Sequence, residues 1–183
     1  MNESSSAGAD RLRPVLFWAV VLGVVIADLI TKAIAEYALL PRGLPREVIG
    51  EYVRFTLVYN PGAAFGLSLG NQSRWIFMAL TIGALFVLSR LYRTTRDDDW
   101  PRTLALGLVC AGAVGNLIDR IRSPMGVVDF IDVGIGDMRW PTFNVADMAV
   151  SVGAFLLAWV LWGEDSQTPA TAPQPAAREA AEV

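Results

Sequence analysis

Residues 14–32 read PVLFWAVVLGVVIADLITK. Pro14 to Ala27 carry no charge, and then Asp28 and Lys32 appear near the end of the run. An apolar run of this length predicts a membrane-spanning helix, set at residues 14–37, since about 20 apolar residues cross a bilayer. Arg11 and Arg13 precede it, as they would precede a secretory leader, but the run is longer than a leader's apolar core and no small-residue cleavage site follows it.

Three further spans are expected outward from this one. Residues 75–92 are almost wholly apolar with aromatic residues at both ends, Trp75 and Tyr92, where interface anchors belong. Residues 104–121 are apolar but rich in glycine and alanine, which let helix backbones approach closely in lipid. Residues 145–162 close with Trp159 and Trp162. The fold class expected is an α-helical membrane protein with four transmembrane helices. Residues 14–162 form the membrane domain, and residues 1–13 and 163–183 read as disordered tails. The whole chain is 54% hydrophobic and only 18% charged, against about 25% charged in an ordinary soluble domain.

Two connections have β character. Residues 51–60, EYVRFTLVYN, are rich in β-branched and aromatic residues and break at Asn60-Pro61-Gly62. Residues 126–133, GVVDFIDV, alternate, which places Asp129, Ile131 and Val133 on one face and Phe130 and Asp132 on the other. Arg90, Arg93, Arg96 and Arg102 crowd the short 93–102 connection, and Arg11 and Arg13 flank the first span. The bias of positive charge toward the cytoplasm then places both termini and the 93–102 loop inside, and the two β-rich connections outside.

Histidine is absent and Cys110 is the one cysteine. Catalysis through Ser-His-Asp or Cys-His, and HExxH zinc chemistry, are therefore excluded. Cys110 has no base beside it in its apolar run, and reads as a small packing residue. No basic face exists for nucleic acid.

Ionisable groups inside membrane segments are costly and are candidates for function. Asp28 and Lys32 are four apart and share a helix face; the plain alternative is an ion pair that fixes packing. Gly112, Asn116 and Asp119 or Arg120 make one polar stripe on the third span, with a structural polar cluster as the rival reading. Asn144 and Asp147 are three apart at the start of the fourth span, where the helix dipole favours a carboxylate and Asn144 also suits an N-cap. Asp129 shares a strand face with apolar residues, which is expensive for a carboxylate without a partner or a task. Gly134-Ile-Gly-Asp137 matches the GxGD signature of another class of intramembrane aspartyl protease, but it reads here as a hairpin turn. A small ion-coupled transporter using Asp28, Lys32 and Asp147 as a relay, or a membrane scaffold, are the readings from other classes.

The ordered set Asp28-x-x-Thr-Lys32, Asn60-Pro-Gly-Ala-Ala-Phe-Gly66, Gly115-Asn-Leu-Ile-Asp-Arg120, Val127-Val-Asp-Phe130 and Phe143-Asn-Val-Ala-Asp147 resembles the signal peptidase II family, also called lipoprotein signal peptidases. The resemblance covers residues 14–162. It implies an aspartic endopeptidase of the bacterial cytoplasmic membrane that removes the signal peptide of diacylglyceryl-modified prolipoproteins just before the lipidated cysteine. It implies Asp129 and Asp147 as the catalytic pair, and Asp28, Lys32, Asn60, Gly112, Asn116, Arg120, Asn144 and Ala146 as residues lining the site. A small extracytoplasmic β-cradle over the site is implied too, with no metal or cofactor. Prolipoprotein substrates and membrane lipid are the expected partners, nucleic acid is not, and the chain is expected to work as a monomer. The stretch Arg122-Ser-Pro-Met-Gly126 is slightly long for the family pattern, which bears on the approach to Asp129.

Overall fold

The computed structural model describes residues 3–62 and 70–165. Four helices, α1 (Glu3–Ala38), α2 (Ser73–Arg93), α3 (Trp100–Arg122) and α4 (Val145–Asp165), contain the four expected spans. Four strands, β1 (Arg46–Ile49), β2 (Val53–Asn60), β3 (Val127–Ile135) and β4 (Met138–Arg139), form one antiparallel sheet in chain order. The residues Ala63 to Gly66 of the Asn60 motif, and residues 166–183 of the expected C-terminal tail, lie outside the described residues.

The two largest boundary differences from the sequence reading are at the starts of α1 and α3; α4 also runs past 162 to Asp165, so the first residues of the expected C-terminal tail are helical. Residues 3–13, expected as a disordered tail, are helical, with Pro14 inside α1. Polar composition says that a segment is solvated, not that it is coil; adding residues to an existing helix avoids the cost of a new nucleus. At the other boundary α3 starts at Trp100 rather than 104, because the Asp99 side chain accepts from the Arg102 amide at 3.0 Å and Pro101 suits the first turn.

The membrane character shows in what stays exposed. Trp18, Leu22, Ile26, Ile30 and Ile34, four apart along α1, are each 54–59% exposed. The outer faces of α2 (Leu80, Phe86, Val87) and α4 (Val152, Phe155, Trp159) are likewise exposed. An apolar surface so continuous is foreign to a soluble protein and fits lipid. All four helices are long and apolar enough to cross a membrane.

Inside the bundle, Phe17, Val21, Leu106, Cys110 and Ala111 form a core with Leu85, Leu88 and Tyr92 of α2 and Leu157 of α4 packed against it. Helices α3 and α4 approach closely through glycine. A Cβ on Gly112 would stand 2.2 Å from the Ala146 carbonyl oxygen, and one on Gly153 would stand 2.8 Å from Leu108 Cβ. A second core joins the end of α1 to the sheet: Ala35 and Leu39 pack with Leu57, Val128 and Phe130. This contact seats the sheet on the bundle and turns Asp129, whose neighbours Val128 and Phe130 face α1, toward α3 and α4.

The strict alternation expected for β3 is only partly kept. Both faces are covered from Val127 to Phe130. Asp132 is also buried, accepting from Thr56 Oγ1 at 3.2 Å and from Arg139 Nε at 2.8 Å.

Candidate active site

A cavity of about 770 Å³ opens between the sheet and the helix ends. Asp129 and Asp147 both line it, with Asn60, Asn116 and Arg120 beside them. Its remaining walls are apolar or neutral: Val58, Tyr59 and Pro61 from the β2 end, the segment 140–143 with Trp140 and Pro141, and Met148, Val150, Ser151 and Val152 of α4.

Asp147 comes from the first turn of α4. A helix start buried in protein has amide donors that must find acceptors. Here the Asn144 side-chain oxygen accepts from Asp147 N at 2.9 Å, and Asp147 Oδ2 accepts from Asn144 N at 3.2 Å. This is a reciprocal capping box with aspartate in the fourth place. The Ala146 amide donates to Asp28 Oδ1 of α1 at 2.9 Å. A carboxylate from another helix thus caps α4, and the dipole at that helix end favours negative charge on Asp147.

Asp28 reaches this place because Gly115 is bare: a Cβ there would lie 2.6 Å from Asp28 Oδ2. The same Asp28 oxygen pairs with Lys32 Nζ at 2.8 Å. Lys32 also pairs with Asp119 Oδ2 at 2.7 Å and donates to Asn116 Oδ1 at 3.1 Å. Asn116 passes the connection on, its Nδ2 donating to Asp147 Oδ1 at 2.8 Å. From Asp28 to Asp147 the polar groups therefore form one connected network across α1, α3 and α4.

Asp129 comes from β3, opposite Val58 in the β2 register. Both of its oxygens accept side-chain amides: Oδ1 from Asn144 Nδ2 at 2.7 Å and Oδ2 from Asn60 Nδ2 at 3.1 Å. Burial, and next the charge of Asp147, push its carboxyl up to about 7, against the pull of the two amides and Lys32. Asn144 is the junction of the two halves. Its Nδ2 reaches Asp129, its backbone amide reaches Asp147, and Nδ2 also donates to Asn116 Oδ1 at 3.1 Å and to the Val128 carbonyl at 3.2 Å.

Arg120 supplies the cation at the cavity wall. Its Nη2 donates to the Gly62 carbonyl at 2.8 Å and its Nη1 to the Asn116 carbonyl at 3.3 Å. Arg74 of α2 in turn holds the end of α3 by donating to the Arg120 carbonyl at 2.6 Å.

The expected site residues thus fall into two layers. Asn60, Asn116 and Arg120 reach the cavity with the two aspartates. Asp28, Lys32, Asn144, Gly112 and Ala146, expected as lining, stand behind its wall instead: the first three are fully or almost fully buried, and the last two form the close α3–α4 contact. The cause is the bilayer-embedded setting, in which costly polar groups are sealed between helices. The sequence reading assigned no lining role to Asp119 or Gly115. Asn116 and Asp119 have the same three-residue spacing as Asn144 and Asp147, and that was the available signal for Asp119. The segment 140–143 carried no signal of its own. Asp137 of the GxGD match is exposed in the turn between β3 and β4, where Gly136 has φ +53°, far from a helix interior.

The profile of the family described as "Signal peptidase (SPase) II" matches residues 20–163. The chain is 40% identical over 167 residues to a protein of Rhodococcus jostii named "Lipoprotein signal peptidase", covering 85% of this chain and 80% of that one. It is 39% identical over 145 residues to one of the same name from Teredinibacter turnerae, covering 78% and 84%. Among solved structures, a bacterial membrane enzyme determined by the in meso method at 2.3 Å superposes with a TM-score of 0.74 at 31% identity, covering 84% of this chain and 92% of that one. A second, at 1.9 Å, gives 0.69 at 33% identity, covering 79% and 91%. With four membrane-spanning helices, a sheet seated on their ends and a family match over residues 20–163, the chain belongs to the signal peptidase II family.

Proposed function

We propose that this chain is an aspartic endopeptidase of the bacterial cytoplasmic membrane. It removes the signal peptide from diacylglyceryl-modified prolipoproteins by cleaving just before the lipidated cysteine, with water activated between Asp129 and Asp147. The observation that carries the reading is the convergence of two carboxylates on one residue at the wall of one cavity: Asp129 accepts from the Asn144 side-chain amide and Asp147 from the Asn144 backbone amide. The names of the relatives support the substrate class.

The chemistry follows from the surroundings. Four carboxylates, Asp28, Asp119, Asp129 and Asp147, face two cations, Lys32 and Arg120, so holding one proton within the pair relieves like-charge repulsion. With its carboxyl at about 7, Asp129 suits the protonated role near neutral pH. Asp147, at the helix start, suits the ionised one. Asp147 takes a proton from water as the water attacks the scissile carbonyl, and Asp129 donates its proton to the carbonyl oxygen. Collapse of the tetrahedral intermediate then returns a proton to the leaving amine. The pair titrates as a unit, so the rate falls as pH rises through about 7 and the shared proton is lost.

The apolar walls of the cavity suit the acyl chains and signal segment of a substrate still in lipid. The arginine bias supports cytoplasmic termini and a site near the outer face, with the sheet as an extracytoplasmic cradle. The four-helix bundle encloses its polar network within one chain, which supports a working monomer.

The test is cleavage of a diacylglyceryl prolipoprotein by the purified full chain in detergent, with the product mapped by mass spectrometry. The expected mature product begins at the lipidated cysteine, the unlipidated precursor stays intact, and a chelator leaves the rate unchanged. Cleavage at another bond, or loss of activity to a chelator that added metal restores, contradicts the reading.

A further inference from the structure

Gly126 precedes β3, three residues before Asp129, with φ +100°. Side-chain-bearing residues rarely adopt that conformation. The space is also closed: a Cβ there would lie 2.1 Å from the Asn60 carbonyl oxygen, 2.5 Å from the Asn60 carbonyl carbon and 2.7 Å from Pro61 Cα. All three are backbone atoms, so no rotamer change makes room.

The turn that Gly126 touches does two tasks for the site. Asn60 Oδ1 accepts from Gly62 N at 3.0 Å, which fixes the orientation of the amide and leaves its Nδ2 to donate to Asp129. The Gly62 carbonyl holds Arg120. On the other side the turn before β3 is itself ordered: Gly126 N donates to the Ser123 carbonyl at 3.3 Å and Met125 N to Ser123 Oγ at 3.1 Å. Two fixed turns therefore meet at a point where only a hydrogen fits.

We propose that Gly126 is a positioning residue for the cleavage reaction: its bare Cα lets the Asn60–Pro61 turn close on the start of β3, and that closure sets the Asn60 amide on Asp129. The proposal rests on Asp129 being one of the catalytic pair. An ordinary packing glycine would govern only how much enzyme folds. A positioning glycine governs the ionisation of Asp129 as well, because the Asn60 amide favours its charged form. The other charged groups around Asp129 are Asp147 of α4, Lys32 of α1, and Asp119 and Arg120 of α3. Gly126 touches none of them directly, and of these only Arg120 is held by the same turn, through the Gly62 carbonyl; the double variant with Asn60→Ala separates that route from the Asn60 amide.

The experiment compares the full chain with Gly126→Ala, Asn60→Ala, the double variant, and a chain with one extra glycine inserted after Met125, each purified in detergent. Cleavage of a diacylglyceryl prolipoprotein is followed across pH, with Asp129→Asn as a control. Gly126→Ala is expected to lower kcat about 10- to 100-fold while KM stays within about threefold. It should move the alkaline limb of the pH profile upward, as Asn60→Ala does. In the Asn60→Ala background the same substitution should cost less than about threefold, since the contact it acts through is already gone. The glycine insertion keeps the backbone freedom and should reproduce the shift even where Gly126→Ala does not fold. An unmoved alkaline limb in both Gly126→Ala and the insertion, or a full multiplicative loss in the double variant, overturns the proposal. Full activity in Asp129→Asn removes instead the catalytic assignment on which it rests.

Discussion

Asp147 and Asp129 reach the same residue, Asn144, from structurally opposite places, the first at its backbone amide and the second at its side chain. Asp147 sits in the first turn of α4, where the backbone itself demands acceptors, and its carboxylate answers part of that demand. Asp129 sits on a strand whose backbone is served by the β2–β3 ladder, so its carboxylate depends on side-chain amides alone. The first is held by a network sealed between α1, α3 and α4; the second by a turn and a sheet resting on the end of α1. Damage to the sealed network should therefore unseat the fold together with the site. Damage around Asp129 should change the chemistry first.

The largest expected effect on stability tests the sealed side. Lys32→Met leaves Asp28 and Asp119 facing each other without their shared cation. A loss of about 3–5 kcal/mol is expected, read as a fall in the thermal midpoint in detergent. An unchanged midpoint would mean that the network contributes nothing to holding α4. Next comes Gly115→Ala, whose Cβ would drive Asp28 from the Ala146 amide. Expected are a loss of about 1–3 kcal/mol in the detergent midpoint and a lower kcat for prolipoprotein cleavage; wild-type values of both would contradict the close approach at Gly115.

The strand side should respond through pH. Because burial raises the Asp129 carboxyl to about 7 from 3.8, the folded protein keeps a proton that the unfolded chain has lost between those values. Stability from this group is therefore present at low pH and falls as pH rises from about 4 to about 7, by up to roughly 1.4 kcal/mol per unit. Asp129→Asn removes that dependence, so its midpoint should gain on the wild type as pH is raised; parallel curves would contradict the buried, proton-holding Asp129. The smallest effect belongs to the far end of the bundle. The Arg96–Asp98 pair is well exposed, and Arg96→Ala should change stability by less than about 0.5 kcal/mol and leave cleavage untouched.

Much of this comparison was legible in the sequence, and for different reasons on its two sides. The apolar runs announced the helices, because lipid leaves little choice but a helix for a single apolar span. Asp147 was legible because Asn144 stands three residues before it at a helix start, and Asp129 because a carboxylate interrupted an apolar strand face. The family motifs added the pairing of the two. What sequence could not show is depth. Asp28 and Lys32 on one face of α1 fit a cavity wall or a sealed ion pair equally well, and only the close approach at Gly115 decides for the second. The role of Gly126 was hidden for the same reason: its neighbours Asn60 and Pro61 are distant in the chain, and their contact exists only after β2 and β3 pair. The helical course of residues 3–13 leaves no mark in the sequence, because polar composition is shared by solvated helix and coil.

The most direct test of the two-carboxylate account is the cleavage rate of Asp129→Asn and Asp147→Asn, each shown to be folded in detergent, on a diacylglyceryl prolipoprotein. Each single amide should lower kcat by at least about 10³-fold, since water then loses either its base or its proton donor, and the double variant should be scarcely worse than either single one. Near wild-type cleavage by either single variant would contradict the account.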